Sequence, residues 1–507
     1  MTKLKIAGIV SLIFLFAYFL RVMHLPQNIL TFGYDQARDA VNALQILSGD
    51  IKIQGPPAST PGLYHGVFYY YVLAAGYAFG SNPVNAAYLI AFLNALTVFV
   101  IFYLGYLISG KKYFAGLSAA FLFAVSFEST QYATWLSNPT IAVLTVPVFY
   151  LGLWLWLKEK NKWGTLLAAL GLGLSIQAEV FLAYHLVPLA VWLWISRKNI
   201  LKKEFLIFAS TFLISVSTMI LNEIKFGFRS LEGIRQLALA ADANLAYAKS
   251  VGDYLILYLN QIGRIFAFNS YPGNVGYGGV LVIVLGIIGM GELVRLKKMT
   301  GASFVSLWLF SHLSVVTVGG TSTPFLMVGI GPAVSIALAL FLLKIWEKKY
   351  KYLVLALLAV FTYGNLSMIL RENKNGSTLF AIQKDMILSK ELAAVDFTYA
   401  RASGNPFTLN SVNSPLWINI VWSYLYNWYG ESKYGYVPEY HGRSQIGQVT
   451  ALPEIAKRSD PYFLILEPMG GIPEKYLVET LGEEDLYSAV AGEKYFGELR
   501  VQERELK

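Results

Sequence analysis

Eleven apolar runs of near-spanning length recur along the chain, and they constrain its fold more than any other feature. They are Ile6 to Leu20, Val84 to Ile108, Phe114 to Val125, Ile141 to Leu157, Leu166 to Ile176, Val180 to Ile195, Phe205 to Leu221, Val280 to Met290, Phe304 to Val318, Phe325 to Ile345 and Tyr352 to Met368. A hydrocarbon core of about 30 Å needs roughly 20 helical residues to cross it, so several runs reach across only with flanking polar residues. In lipid every backbone N–H and C=O must be satisfied within the protein, which makes helices the expected spanning element. A mean hydropathy of +0.51, with 56% hydrophobic and 14% charged residues, agrees with a polytopic α-helical membrane protein of about eleven transmembrane helices.

Lysine and arginine order these runs. Lys3 and Lys5, Lys111 and Lys112, Lys158 to Lys162, Arg197 to Lys203, Arg295 to Lys298 and Lys344 to Lys351 fall in every second gap, whereas the gaps near Asn138, Gln177 and Thr321 hold none. Cytoplasmic loops carry the basic excess, so the amino terminus is expected in the cytoplasm and, after eleven crossings, the carboxyl terminus outside. The first run has the basic start of a signal peptide. Arg21-Val22-Met23-His24 stands where small residues would mark cleavage, however, so the run reads as an uncleaved first helix. The expected location is the plasma membrane.

Three non-spanning segments are long: Val22 to Asn82, Asn222 to Tyr277 and Arg371 to Lys507, all outside by this count. Loops of that length carry function or are domains. The last holds 14 Lys and Arg against 18 Asp and Glu, leaving 26 basic and 13 acidic residues before it. The net charge of +9 therefore averages basic cytoplasmic loops with a mildly acidic tail, and nucleic-acid binding is not needed to explain it. Within the tail a helical pattern runs from Leu379 to Arg401, and DPYFLILEP reads as a buried strand between prolines. The predicted organisation is a transmembrane domain over residues 1–370, with external loops 22–82 and 222–277, and an extracytoplasmic α/β domain over 371–507.

The absence of cysteine excludes thiolate chemistry and disulfides, and five scattered histidines without an H-E-x-x-H pair make a side-chain metal cage improbable. The sequence requires no cofactor, and a divalent metal is compatible with it. Chemistry is sought instead in the outer loops. FGYDQARDA, Phe32 to Ala40, sets Asp35, Arg38 and Asp39 at i, i+3 and i+4 on one helical face. The bland alternative is a solvated ion-pair face at a helix start. The same loop continues to His65 and to Tyr69 to Tyr71, an aromatic cluster that suits an interfacial belt or a groove for a lipid chain or sugar ring. Glu128 ends the third run, and SIQAEVFLAYH brings Glu179 and His185 near the outer face. Ionisable residues at such depth are functional by default. For Glu179 a water-facing loop acid is an equal alternative, and His185 reads as packing. Arg264, a lone external arginine beside aromatics, suits a carrier phosphate or, on the competing reading, an interface anchor. Gly273 to Gly279 is not a dinucleotide loop, because no strand precedes it.

Phe32-x-x-Asp35-x-x-Arg38, Gly49-Asp50, a Pro/Gly loop leading to LYHGVFYYY, AAYLIAFLNAL and STQYATWLSNPT follow one another in the chain. This ordered set resembles the membrane glycosyltransferases of the GT-C superfamily, nearest the protein mannosyltransferase-like and lipid A aminoarabinose transferase-like proteins of the family 39 and 83 type. The likeness covers roughly the first 200 residues in order and in topology, and the rest in general architecture. It implies transfer of a sugar from a polyprenyl-phosphate carrier to a lipid, glycan or protein acceptor at the outer membrane face. Asp35 matches the family's catalytic base and Arg38 its loop arginine, while the family's following acidic residue is Gln36 here. Asp39, His65, Tyr69, Glu128, Glu179 and Arg264 complete the candidate substrate-binding set. His65-Gly66-Val67 stands where aminoarabinose transferases carry Lys-Pro-Pro, and a histidine needs protonation to offer phosphate a full charge. Asn138 stands where an acid is frequent and reads as a cap before Pro139. The chemistry asks independently for such residues: cations or helix ends to hold the phosphate, and a carboxylate to take a hydroxyl proton. A rival class, a lipid-linked oligosaccharide flippase or transporter, predicts charged spans and internal repeats. Here the spans are nearly free of charge and no repeat is visible.

Overall fold

Small residues decide how closely the helices of this chain approach. The structure is a computed structural model that describes residues 2–58, 61–240, 250–274, 276–281, 284, 299–313, 324–381, 383–443, 445 and 450–507. The chain runs through α1 (Lys3–Val22), α2 (Tyr34–Leu47), α3 (Phe68–Tyr77), α4 (Pro83–Ile108), α5 (Tyr113–Ala124), α6 (Phe127–Ala133), α7 (Ala142–Leu157), α8 (Lys162–Ala178), α9 (Leu186–Ser196), α10 (Lys202–Ser215), α11 (Ser217–Lys225), α12 (Arg229–Ala240), α13 (Val251–Ser270), α14 (Gly301–Leu309), α15 (Gly331–Glu347) and α16 (Lys351–Glu372). α7 and α8 pack closely against each other. A Cβ on Gly152 would lie 2.2 Å from the Ala168 nitrogen, and one on Gly171 would lie 2.3 Å from the Phe149 nitrogen, so backbone meets backbone with no room for a methyl group. Between apolar helices in lipid, where no hydrophobic force drives association, such contact supplies the packing energy. Gly171→Leu is expected to force α7 and α8 apart and to lower the thermal midpoint of detergent-solubilised protein; an unchanged midpoint would contradict this packing.

Five described helical segments are long and apolar enough to cross a bilayer, and counting two bent pairs as single spans gives seven. The pairs are α5 with α6, bent by 56°, and α10 with α11, bent by 53°. Those apolar runs of the sequence that lie among the described residues fall on helical segments. Most of the run Val280 to Met290, the end of Phe304 to Val318, the basic cluster Arg295 to Lys298 and the gap at Thr321 lie outside the described residues. The segment Asn222 to Tyr277, read as an external loop, contains α13, a 20-residue helix whose Ile262, Ile265 and Phe266 are buried in the core of the helical bundle. Its Asp253, Asn260, Gln261, Arg264 and Asn269 lower its hydropathy, which hid it from a scan for apolar runs.

The break between α5 and α6 is held by a buried arginine. Arg21, 1% exposed, donates to the Ala124 carbonyl at 3.0 Å, the Asn94 Oδ1 at 2.6 Å and the Ser129 Oγ at 2.8 Å. The end of α5 leaves carbonyls without helical partners and carries the negative end of the helix dipole, so the guanidinium is compensated without a carboxylate.

The last part of the chain folds into α17 (Leu388–Ala402), β1 (Thr408–Val412), α18 (Ile420–Leu425), β2 (Glu439–Tyr440), β3 (Tyr462–Leu466), α19 (Glu474–Tyr487), β4 (Ser488–Phe496) and β5 (Leu499–Leu506). The sheet order is β2-β1-β3-β5-β4, with β1 parallel to β2 and β3, and β5 antiparallel to β3 and β4. The strand segments TLNSV and YFLIL are buried along their whole length, as strands covered on both faces must be. This unit is fastened to the start of the chain. Phe32 N–H donates to the Met386 carbonyl, Leu388 N–H to Leu30 and Ser389 N–H to Asn28, each at 3.0 Å. The sheet therefore sits over the residues that lead into α2.

Candidate active site

Helix α2 begins where Gly33 stops the extended chain, and the Gln36 side chain returns to accept the Gly33 N–H at 3.0 Å. The Gln36 amide also donates to the Leu136 carbonyl at 3.1 Å, so this side chain is a tie between two loops. Ala37, Ala40 and Val41 form the buried stripe that packs α2 on α3 and α18. Asp35, Arg38 and Asp39 do share a face, but one turn of helix carries them into different surroundings. The Asp35 side chain is 56% exposed, Arg38 14% and Asp39 1%. Arg38 joins the two acids: Nη1 lies 2.7 Å from Asp35 Oδ1, and Nη2 2.7 Å and Nε 2.8 Å from Asp39 Oδ1. Burial raises the Asp39 carboxyl above its ordinary range, against the pull of Arg38.

Asp35 opens into a cavity of about 750 Å³ roofed by the C-terminal sheet unit. Arg38, His65, Asn138 and Glu179 line the same cavity, so residues far apart in sequence meet there. Among the described residues Arg38 is the only Lys or Arg on its wall. His65 Nδ1 accepts the Val180 N–H at 3.3 Å and lies 3.5 Å from Glu179 Oε1, which leaves Nε2 to carry the ring proton. Burial, then the charge of Arg38, pulls the imidazole down to about 3. His65 is therefore a neutral hydrogen-bond donor and offers no charge to a phosphate. Glu179, between the end of α8 and the turn that leads into α9, is pushed up to about 8 by burial. Asn138 is not a cap: Ser137 holds the extended cap position, and the Asn138 amide donates to the Ala178 carbonyl at the end of α8, at 2.5 Å.

The raised Glu179 carboxyl has a measurable consequence. Between the ordinary carboxylate range and about 8, the unfolded chain has released this proton while the folded protein keeps it, so stability falls as pH rises through that window, by at most about 1.4 kcal/mol per pH unit. Glu179→Gln should flatten the slope of thermal midpoint against pH from 5 to 8, and an identical slope in the variant would refute the assignment.

Four candidate residues lie outside the cavity lining. Asp39 sits behind Arg38, and Tyr69 is fully buried in the core between α2 and α3. Glu128 belongs to a separate buried knot at the α5–α6 break, where Asn269 Nδ2 donates to its Oε2 at 2.6 Å and Ser126 Oγ donates to Asn269 Oδ1 at 2.7 Å. Arg264 lies on the same helix as Asn269, and its charge acts on Glu128. His185 is buried, 3.0 Å from the Tyr150 hydroxyl, as a packing residue would be. Among the described residues no three His, Asp or Glu side chains come together as a metal cage. Sequence reasoning missed Gln383, Ser414, Gly470 and Gly471 on the cavity roof; the Gly-Gly pair one residue beyond DPYFLILEP was the one signal available.

No family model and no curated protein matches the chain. Among solved structures, the chain is similar to ArnT from Cupriavidus metallidurans bound to undecaprenyl phosphate, with a TM-score of 0.61, 12% identity and coverage of 99% of this chain and 98% of that one. The apo state of the same protein gives 0.59 and 12%, over 98% and 97% of the two chains. At this identity the likeness speaks for the fold, over the whole length and not only the first 200 residues. The chain has the fold of ArnT.

Proposed function

We propose that the protein is a glycosyltransferase that moves a sugar from a polyprenyl-phosphate carrier to an acceptor hydroxyl at the outer membrane face, with Asp35 as general base. The observation that carries this reading is the exposed Asp35 carboxylate, fixed by Arg38, in a 750 Å³ cavity between the helical bundle and the sheet unit. The bound undecaprenyl phosphate of ArnT supports a carrier of the same class. In the proposed step the acceptor oxygen attacks the anomeric carbon, its proton passes to Asp35, and the bond from that carbon to the phosphate oxygen breaks with its electron pair on the carrier phosphate. A single displacement of this kind inverts the anomeric centre. The Arg38 guanidinium is engaged by both aspartates, which orients the base. Asp39 supports Arg38 from behind, and His65 contributes a neutral donor.

The same reading makes residues 1–370 the transmembrane domain and 371–507 a domain outside the membrane, with the amino terminus in the cytoplasm and the protein in the plasma membrane. The alternation of basic gaps supports that orientation. The test is release of polyprenyl phosphate from a panel of polyprenyl-phosphate monosaccharides by purified protein in nanodiscs. Transfer from a nucleotide sugar without a lipid intermediate would contradict the proposal.

A further inference from the structure

The cavity has a roof that the proposed reaction has not yet used. The chain leaves β1 toward α18, which packs on the sheet face that bears Leu409, Phe463 and Ile465. It leaves β3 toward α19, whose Leu477 and Leu481 pack on the opposite face with Val412, Leu464 and Leu466. Two neighbouring parallel strands whose following loops run to opposite faces open a crevice at their carboxyl ends, the place where open α/β sheets bind ligands. That crevice opens into the Asp35 cavity, with Ser414 and Pro415 from the loop after β1, and Gly470, Gly471 and Ile472 from the loop after β3, on its wall.

One carboxylate holds the crevice in shape. Glu467, 3% exposed, accepts from the Ser414 N–H at 2.9 Å, Asn413 Nδ2 at 3.2 Å, Trp422 Nε1 at 3.0 Å and Gln383 Nε2 at 3.0 Å. Gln383 Nε2 also donates to the Pro468 carbonyl at 2.9 Å. Both partners are acceptors, so the amide is fixed with its nitrogen toward them and its oxygen turned away. That oxygen faces the turn two residues before Asp35: a Cβ built on Gly33 would lie 3.6 Å from it. Among the described residues it accepts no hydrogen bond. Among the described residues the rest of the crevice wall is neutral, and the one cation on the cavity wall, Arg38, is already bracketed by Asp35 and Asp39.

We infer that the crevice at the carboxyl ends of β1 and β3 is the acceptor subsite and takes a neutral, hydroxyl-rich acceptor, a carbohydrate, with Gln383 as the specificity-determining contact and Glu467 as its positioning residue. The inference rests on the glycosyltransferase reading above for the word acceptor, but not for the binding itself. A phosphorylated headgroup or an acidic peptide brought here would meet the Gln383 oxygen and the Asp35 carboxylate without an unshared cation on the wall. A sugar hydroxyl finds an oriented acceptor atom on the side from which Asp35 would take the proton.

The test uses the full chain in nanodiscs against an array of neutral glycans and of their phosphorylated and uronic-acid counterparts. Wild-type protein should bind a subset of the neutral glycans, and Gln383→Ala should weaken that binding about tenfold, the loss expected for one hydrogen bond to a hydroxyl. If that variant fails to fold, Gly470→Val fills the crevice while leaving the Glu467 bonds in place; Gly470 is not among the glycines with left-handed backbone. Glu467→Gln should raise the acceptor concentration needed for half-saturation while donor hydrolysis by water stays at the wild-type rate, a split that loss of fold would not produce. Binding confined to anionic glycans, no glycan bound, or neutral binding that survives both Gln383→Ala and Gly470→Val overturns the assignment. Failure of the glycosyltransferase reading looks different: no donor cleaved by the wild type, with Gln383-dependent glycan binding intact, removes the reaction and leaves the subsite.

Discussion

Asp35→Asn should reduce sugar transfer by about 100- to 10,000-fold, the range that a positioned general base contributes, while the protein still inserts and still binds its carrier. The amide keeps the shape and the Arg38 contact through its oxygen but has no basicity to take the acceptor proton. The competing account makes Asp35 only one half of an exposed ion pair, and such pairs contribute about 0 to 1 kcal/mol. On that account turnover would fall a few-fold at most. Asp39→Asn looks from the sequence like the natural control, since it carries the same charge one turn away. The structure disqualifies it, because Asp39 is buried and holds Arg38. Asp50, 55% exposed and paired with Lys52 in the same loop, is the proper control. Steady-state transfer and carrier binding measured on Asp35→Asn and Asp50→Asn separate the accounts: equal, mild losses in both would end the case for Asp35 as the base.

What the sequence could and could not tell follows from the range of the interactions. Apolar runs and their basic gaps are local patterns, so the helices were legible, and the buried strand YFLIL could be read from its composition between prolines. Helix α13 was not, because a helix buried among other helices can carry Asn269 and Arg264 without the apolar run that a lipid-facing span needs. The face shared by Asp35, Arg38 and Asp39 was legible from 3.6-residue periodicity, but not the burial difference across it, which is set by α3 and α18 packing from outside the helix. His65 meets Glu179 only through the fold, and the ring's neutrality is a property of that burial. Gln383 and Glu467 lie some 350 residues or more from Asp35 in sequence, carry no motif, and enter the site only because the Met386–Ser389 stretch pairs with the residues ahead of α2.

Arg38→Met should cost about 3 to 5 kcal/mol of stability at neutral pH, a larger effect on folding than any single change at Asp35, because it leaves the Asp39 carboxylate buried without its counter-charge. The sign of the pH dependence identifies the cause. With Arg38 gone, the folded-state affinity of Asp39 for a proton rises further above that of the unfolded chain, so the variant should regain stability as pH falls toward the ordinary carboxylate range and lose it as pH rises. Arg38→Met combined with Asp39→Asn removes the stranded charge, and the double variant should recover most of the lost stability at pH 7 and lose the slope. Its transfer activity should stay low, since Asp35 would have lost the guanidinium that orients it. Thermal unfolding of the single and double variants from pH 5 to 8, read beside turnover, therefore divides the two duties of Arg38. A single variant as stable as wild type at pH 7 would mean that Asp39 is neutral in the native protein, and that Arg38 is held by Asp35 alone.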